Sequence, residues 1–338
     1  LALLQLATVR QVGVSSFVSL GNKADVSGND LLQWGESDPR TSVLLLYLES
    51  FGNPRRFAQL ARRIGRKKPI VAVKAGRTPA GSRAAGSHTA GLASNETAVA
   101  ALFEQSGVIR ADTIDELFDI ALCLDLQPLP GGPRVGIVTN AGGPGILAAD
   151  ACEAAGLRVQ PFGPETQAAL ATGLSSNATT TNPIDLVASA GSDAYEHAIV
   201  TALSSADIDS LLVIYTPIQH AQTGGILAGI ASAVTRARRA GIRSKPVIAC
   251  TLSAAAQPMP LAAGDERIPA YMFPENAARA LGRAVAYAGW RAEPPALYRT
   301  FDDARVNDAR TVCQAVVNER GDTWLTPEEL SAVLDAVG

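Results

Sequence analysis

The segment from Gly76 to Ser94, GRTPAGSRAAGSHTAGLAS, carries His88 near its centre and is the part of the chain best suited to chemistry. It follows Pro69–Ala75, an apolar run typical of a buried parallel strand, and a helix is predicted from about Asn95. Glycine and other small residues give this loop little bulk and much backbone freedom. The sequence therefore predicts an imidazole at the carboxyl end of a strand, where open α/β sheets bind their ligands.

His88 could act as an uncharged nucleophile near neutral pH. One ring nitrogen must then be free while the other donates to a group that fixes the tautomer. Glu49 ends the strand-like run Leu44–Leu48, so its carboxylate is predicted at the same edge and could be that group; a helix cap or a surface charge is the alternative. Of the other histidines, His197 fits a structural place in a helix, and His220 could border the cleft.

A second small-residue turn, Asn140-Ala-Gly-Gly-Pro-Gly145, lies between a strand-like and a helix-like segment. Backbone N–H groups and the helix dipole make such a turn an anion site. Gly142 and Gly143 would let a phosphate approach the backbone, and Asn140 could add a side-chain donor. An ordinary turn without a ligand is the alternative, since neither a Walker motif nor a GxGxxG fingerprint is present. With His88, the turn suggests phosphoryl chemistry on histidine.

Composition narrows the class of protein. The 338 residues allow two domains, and 47% hydrophobic with 18% charged residues is typical of an α/β protein. A net charge of −3 gives no field that favours nucleic acid or membranes, and no apolar run is long enough to span a bilayer. The four cysteines lack metal-ligand spacing, which predicts no metal site. Buried, reduced thiols in a cytoplasmic protein are expected instead. Basic residues between Arg55 and Arg83 form either a solvated helix face or a path for an anionic ligand.

Strand-like and helix-like segments alternate, which predicts two doubly wound parallel-sheet domains. The first domain is expected over 1–128, the second over 129–290 after the breaker-rich stretch 127–133, and a helical connector over 291–338. Strands are predicted at 14–20, 42–49, 69–75, 107–110, 134–140, 158–162, 210–217, 246–251 and 270–273. Helices are predicted at 1–11, 29–35, 54–64, 96–105, 113–126, from the end of the 140–145 turn to 155, and at 193–205, 223–240 and 275–290, with a capping box from Thr113 to Glu116.

Several motifs closely resemble those of the ADP-forming acyl-CoA synthetases, relatives of succinyl-CoA synthetase. They cover nearly the whole chain: Ser19-Leu-Gly-Asn-Lys-Ala-Asp25, Val73-Lys-Ala-Gly-Arg-Thr78, Gly86-Ser-His-Thr-Ala-Gly91, Ser106-Gly-Val-Ile-Arg110, Ile114-Asp-Glu-Leu-Phe118, Val138-Thr-Asn-Ala-Gly-Gly-Pro-Gly145 and Asn182-Pro-Ile-Asp185. The resemblance implies two flavodoxin-like ligase domains. The connector motif Leu325-Thr-Pro-Glu-Glu-Leu330 resembles the opening of an ATP-grasp region.

The resemblance also implies a reaction, in which acyl-CoA, ADP and phosphate give the acid, CoA and ATP through an acyl phosphate and a phosphohistidine. His88 would be the phosphorylated histidine and Glu49 the carboxylate that steadies it. Asn140, Gly142 and Gly143 would open a helix that points at the phosphate. CoA, ATP or ADP, Mg²⁺ and a small carboxylic acid are expected as substrates rather than tightly bound cofactors.

Partners follow from the same resemblance. A CoA-binding domain and an ATP-grasp domain are expected on the same chain or on a separate subunit, and a homo-oligomer is compatible with the family. The chain is interpreted as an internal piece that lacks the first strand of its first domain and is inactive alone. One alternative is a sensing module fused to a protein lysine acetyltransferase. The other is a flavodoxin-like binder of a flavin or nucleotide, which the scarcity of aromatic residues near strand ends disfavours.

Overall fold

A computed structural model describes residues 2–21, 25–78, 80–81, 83, 96–217, 223–252, 258–294 and 303–337. The chain forms two compact units, residues 1–293 and 294–338. The first unit contains both parallel sheets, so the division into domains at residue 128 stays a prediction.

The first sheet has three parallel strands in chain order, β1 (Leu44–Leu48), β2 (Ile70–Lys74) and β3 (Val108–Ala111). The apolar run of β2 is buried on both faces, as expected for the central strand of a parallel sheet. β1 lies at the edge, where Tyr47 is 54% exposed. The helices of this half are α1 (Ala2–Val9), α2 (Gly28–Ser37), α3 (Pro54–Gly65), α4 (Glu96–Ser106) and α5 (Ile114–Leu126).

The second sheet has five parallel strands, β4 (Val135–Thr139), β5 (Ile184–Asp185), β6 (Ser210–Tyr215), β7 (Val247–Thr251) and β10 (Ala270–Tyr271). Their order in the sheet is β10-β7-β6-β4-β5. From β4 the chain crosses to β5 on one side of β4 and then to β6 on its other side, so the strand order reverses between β4 and β6. Ligands of open α/β sheets bind at such a switch point, outside the carboxyl ends of the strands.

Helices cover both faces of the second sheet, which confirms the predicted α/β class. They are α6 (Gly142–Ala154), α7 (Pro164–Ala171), α8 (Ser192–Ser204), α9 (Thr223–Arg239) and α10 (Pro274–Ala292). One core joins the inner faces of both sheets through α5, α6 and α10. The outer face of the first sheet packs on α2, α3 and α4, and that of the second on α7, α8 and α9.

The carboxyl-terminal part of α10 joins the second half to the first. The Tyr287 hydroxyl donates to the Gly65 carbonyl at 2.6 Å, and the Arg66 guanidinium lies 4.6 Å from the centre of the Trp290 ring. Gly107 has a φ of +69°, and a β-carbon there would lie 2.4 Å from ring atoms of Trp290. Only glycine satisfies both the backbone conformation and this close packing.

The strand predicted at 14–20 is wrong, because these residues take no part in the hydrogen-bonded ladder of a sheet. Phe17 and Val18 are each about half exposed there. A strand also fails to extend over 158–162, where the pairing stops at a single bridge between Arg134 and Arg158. The Asn182 side chain binds the next backbone groups along β4 in place of a strand, since it accepts from the Ile137 N–H and donates to the Val135 carbonyl.

Three short elements were not predicted, namely α7, β5 and an antiparallel hairpin of β8 (Leu261–Ala263) and β9 (Glu266–Ile268). The predicted capping box is half right. The Thr113 hydroxyl accepts from the Glu116 N–H at 3.1 Å. The Glu116 carboxylate, however, accepts from the Asp112 N–H instead of the Thr113 N–H that a capping box requires.

The second compact unit is a pair of helices, α11 (Val306–Arg320) and α12 (Pro327–Val337). The Arg305 N–H donates to the Ala336 carbonyl, and Arg320 pairs with Glu329, so the two helices run antiparallel. Thr326 and Glu329 form a complete capping box at the start of α12, as the Thr-Pro-Glu-Glu motif indicates.

Candidate functional site at the carboxyl edges of the two sheets

Asn140 and Thr216 lie at the switch point of the second sheet, directly beyond β4 and β6. The Asn140 Nδ2 donates to the Thr216 carbonyl and its Oδ1 accepts from the Thr216 N–H, both at 2.9 Å. Asn140 is 2% exposed. The side chain predicted as a phosphate donor therefore ties two strand ends together, which leaves the neighbouring backbone as the group presented to a ligand.

The two glycines predicted to cradle a phosphate begin helix α6. Its N-cap is Ala141, and no side chain caps the first turn. Gly142 and Gly143 are exposed, and a β-carbon at Gly143 would meet no atom within 4 Å. Gly145 differs, because a β-carbon there would lie 3.0 Å from the Thr139 methyl. Gly143 leaves its side of the helix start open, whereas Gly145 allows α6 to pack on β4.

The motif Asn182-Pro-Ile-Asp185 leads into the short edge strand β5. The Asp185 carboxylate lies near the start of α6, since a β-carbon on Gly142 would be 3.2 Å from its Oδ2. Its Oδ1 accepts from the Val187 N–H at 3.0 Å. An anionic side chain beside the helix start is stabilised by the helix dipole and would compete there with a bound phosphate.

Glu49 directly follows β1 at the carboxyl edge of the first sheet, and its side chain is exposed. The preceding residue, Leu48, is the register partner of Lys74 at the end of β2, and the Leu48 carbonyl accepts from the Ala75 N–H at 2.9 Å. The predicted position of Glu49, at the edge from which the 76–94 loop departs, is confirmed. Its role stays a prediction.

His88 and His220 lie outside the described residues. The structure does describe where the chain leaves β2 and where it begins α4, and ion pairs connect these two places. Arg77 pairs with Asp112, which follows β3, and Arg110 on β3 pairs with both Asp112 and Glu96. Both flanks of the histidine segment are thus fixed to the end of the same strand.

Lys74 belongs to the basic cluster and to the Val73–Thr78 motif of the sequence, but it was not predicted as a site residue. It ends β2 and is 5% exposed, although lysine is almost never fully buried without a partner. Burial lowers the pKa of its ammonium, and the negative charges of Glu96 and Glu49 oppose that shift. The available signal was a cation at the end of an otherwise apolar strand.

Other candidate groups have structural places. The His197 Nε2 donates to the carbonyls of Ala169 and Leu170 at 3.1 and 3.2 Å, so it caps the end of α7 as a structural histidine would.

Several residues of the basic cluster form ion pairs: Arg56 with Asp30, and both Arg63 and Lys67 with Glu36. These pairs join α3 to α2 and favour the solvated helix face over a ligand path.

Three cysteines are buried, and burial raises the pKa of the Cys123, Cys152 and Cys250 thiols to about 12. Within the described ranges, no group of three or more His, Cys, Asp or Glu side chains could hold a metal ion. No helix in the described part of the chain is both long and apolar enough to cross a membrane.

Two family models match the chain. Residues 1–124 match the succinyl-CoA ligase like flavodoxin domain, and residues 135–292 match the ligase-CoA domain. The alpha subunit of an ADP-forming acetate–CoA ligase I from Pyrococcus furiosus is 36% identical over 295 residues, which make up 87% of this chain and 63% of that protein. An ADP-forming 4-hydroxybutyrate–CoA ligase from Nitrosopumilus maritimus is 29% identical over 351 residues, with 100% of this chain and 47% of that protein covered.

Solved structures agree with these matches. A dinucleotide-forming acetyl-coenzyme A synthetase 1 from Candidatus Korarchaeum cryptofilum, in complex with phosphate and ADP, superposes with a TM-score of 0.75 at 34% identity. The superposition covers 86% of this chain and 62% of that one. The chain thus spans less than two thirds of the length of each of these relatives.

Proposed function

The chain belongs to the ADP-forming acyl-CoA synthetase family through its two ligase domains, and we propose that it forms the phosphoryl-transfer core of such an enzyme. The observation that carries the proposal is the match of both domains, in order, to relatives that are ADP-forming CoA ligases. The reaction would convert acyl-CoA, ADP and phosphate into a carboxylic acid, CoA and ATP.

The proposed chemistry has three balanced steps. Phosphate oxygen attacks the thioester carbonyl, and CoA leaves as the thiolate, which gives an acyl phosphate. An imidazole nitrogen of His88 then attacks the phosphorus, and the carboxylate of the acid leaves. Finally a terminal oxygen of ADP takes the phosphoryl group from the imidazole, which gives ATP. Mg²⁺ would enter with the nucleotide and offset phosphate charge.

Two features, one at the carboxyl edge of each sheet, support these roles. Glu49 follows β1 at the edge where the His88 segment leaves β2, so its carboxylate could accept from one ring nitrogen and leave the other free to attack. The open first turn of α6, at Gly142 and Gly143, offers backbone N–H groups to a phosphate. Because CoA and nucleotide sites would lie on further domains, we expect residues 1–338 alone not to complete a turnover.

The test is ATP formation by the full-length protein from acetyl-CoA, ADP and phosphate. Glu49→Gln should slow it on the order of a hundredfold, since a preorganised charge at the transferring group is lost, while thermal unfolding is unchanged. Glu104→Gln, an exposed glutamate on α4, is the matched control and should match the wild type. Acetyl-CoA binding without phosphate-dependent CoA release would contradict the proposal and favour a sensing module.

A further inference from the structure

Side chains replace the backbone ladder where β4 and β6 separate at the switch point. Thr139 and Ile214 are the last register partners of these two strands. One residue further, a regular parallel ladder would bond the Asn140 N–H to the Ile214 carbonyl and the Asn140 carbonyl to the Thr216 N–H. The Thr216 N–H donates instead to the Asn140 side chain at 2.9 Å. The Ile214 carbonyl accepts from the hydroxyl of Tyr195 at 2.8 Å.

The Tyr195 hydroxyl bridges the two strand ends. Tyr195 reaches them from helix α8 and is fully buried, and a buried tyrosine hydroxyl requires a hydrogen-bond partner. Burial raises the pKa of this hydroxyl well above 10, and the Asn140 N–H opposes that shift because it donates to the Tyr195 oxygen. The oxygen therefore lies between two backbone groups that a continuing ladder would bond directly. It keeps them apart by two hydrogen bonds rather than one.

This bridge lies directly before the start of helix α6. The helix begins at Gly142, two residues after Asn140, so the separation of β4 from β6 sets where its first turn lies. Thr216 gives a second observation at the same place, because its Oγ1 is buried and has no hydrogen-bond partner among the residues that the structure describes. A buried hydroxyl without a partner is costly, and a ligand oxygen between the separated strand ends would satisfy it.

A purely structural role for Tyr195 is the alternative. Its ring packs edge-on against Tyr215, with the ring centroids 6.1 Å apart and the planes at 82°. Phenylalanine would keep this contact and the burial of the ring. The hydroxyl alone bridges the strands, so its removal distinguishes the two roles.

We propose that Tyr195 is a positioning residue for phosphoryl transfer, whose hydroxyl bridges Asn140 and Ile214 and thereby sets the position of the α6 start that receives phosphate. This inference rests on the proposed function. Tyr195 acts through the strand end that leads into Gly142 and does not contact the reacting atoms. Without its hydroxyl, the two backbone groups would bond directly or lose their partner, and the first turn of α6 would move.

The experiment measures ATP formation by the full-length protein from acetyl-CoA, ADP and phosphate, with the KM of each substrate and the thermal unfolding midpoint. Tyr195→Phe keeps the ring and its packing, so the protein should fold. The KM for phosphate should rise on the order of tenfold, because the phosphate site is displaced, while the KM values for ADP and acetyl-CoA stay at the wild-type level. A purely structural role would lower the unfolding midpoint without this selective change.

Tyr287→Phe is the matched control. Tyr287 is 3% exposed and its hydroxyl donates to the Gly65 carbonyl at 2.6 Å, so each substitution removes one buried hydroxyl from one backbone carbonyl. Tyr287→Phe should leave the KM for phosphate unchanged. An unchanged phosphate KM in Tyr195→Phe, an equal rise in both variants, or failure of Tyr195→Phe alone to fold would overturn the inference. Absence of ATP formation by the wild type would instead reject the proposed function.

Discussion

The Asn140 side chain and the Thr216 backbone exchange two hydrogen bonds across the switch point of the second sheet. The two residues are 76 positions apart in the chain and follow neighbouring strands, β4 and β6. Helix α6 begins two residues after Asn140. This pair therefore fixes the strand end from which the candidate phosphate-binding helix departs.

Asn140→Ala should destabilise the first compact unit by about 1–3 kcal/mol, because it leaves the half-buried Thr216 N–H and carbonyl without their partner. Urea unfolding would measure the change in the free energy of unfolding. Asn177→Ala, at an exposed asparagine, serves as the control and should change it little. Equal effects of the two substitutions would show that the pair contributes nothing to stability.

Gly143→Ala separates phosphate binding from folding. The added methyl meets no atom within 4 Å, so stability should stay within about 1 kcal/mol of the wild type. Phosphoryl transfer should slow if a phosphate must approach the backbone there. Gly289→Ala, an equally open position near the end of α10, should leave both properties unchanged. Transfer at the wild-type rate in Gly143→Ala would argue against a phosphate at the α6 start.

The apolar runs predicted the described strands of both sheets within about two residues, apart from the short β5, because a buried parallel strand is a continuous apolar segment bounded by turn residues. The same pattern failed at 14–20, since it indicates that a segment could pair but not whether a free strand edge lies beside it. At 158–162 the strand is replaced by the side chain of Asn182, which hydrogen-bonds to the β4 backbone, and the local sequence pattern gives no sign of this contact.

The candidate site was predictable in position more than in chemistry. Strand ends placed Glu49 and the Asn140–Gly145 turn at carboxyl edges, which the structure confirms. The partner of the Asn140 amide could not be foreseen, since it depends on which strands are neighbours. The sequence placed Lys74 only within a basic cluster, because its burial is a property of the folded edge rather than of local sequence.

Gly107→Ala should be among the most destabilising small substitutions in the chain. Gly107 and Gly241 both have positive φ, +69° and +91°, so alanine costs about 1–2 kcal/mol at either position. At Gly107 the methyl would also lie 2.4 Å from Trp290, whereas at Gly241 it meets nothing within 4 Å. Denaturant unfolding should show a clearly larger loss for Gly107→Ala. Equal losses would mean that Trp290 does not pack as described.

Acid should weaken one ion pair at the amino edge of the second sheet. Hydrogen bonds from Arg134 hold the pKa of Asp209 below its ordinary value of 3.8. A lowered folded-state pKa stabilises the protein above about pH 4, and this contribution is lost as the pH falls through the folded-state pKa. The stability difference between wild type and Arg134→Met should therefore narrow in acid. A difference independent of pH would contradict this assignment.

The central claim is that His88 carries the phosphoryl group, and peptide mapping of the full-length protein after incubation with labelled ATP tests it most directly. We predict acid-labile, base-stable label on the His88 peptide that ADP removes, no label in His88→Ala, and full label in His197→Gln, which changes a structural histidine. Label retained in His88→Ala, or no label in active wild-type enzyme, would contradict the account.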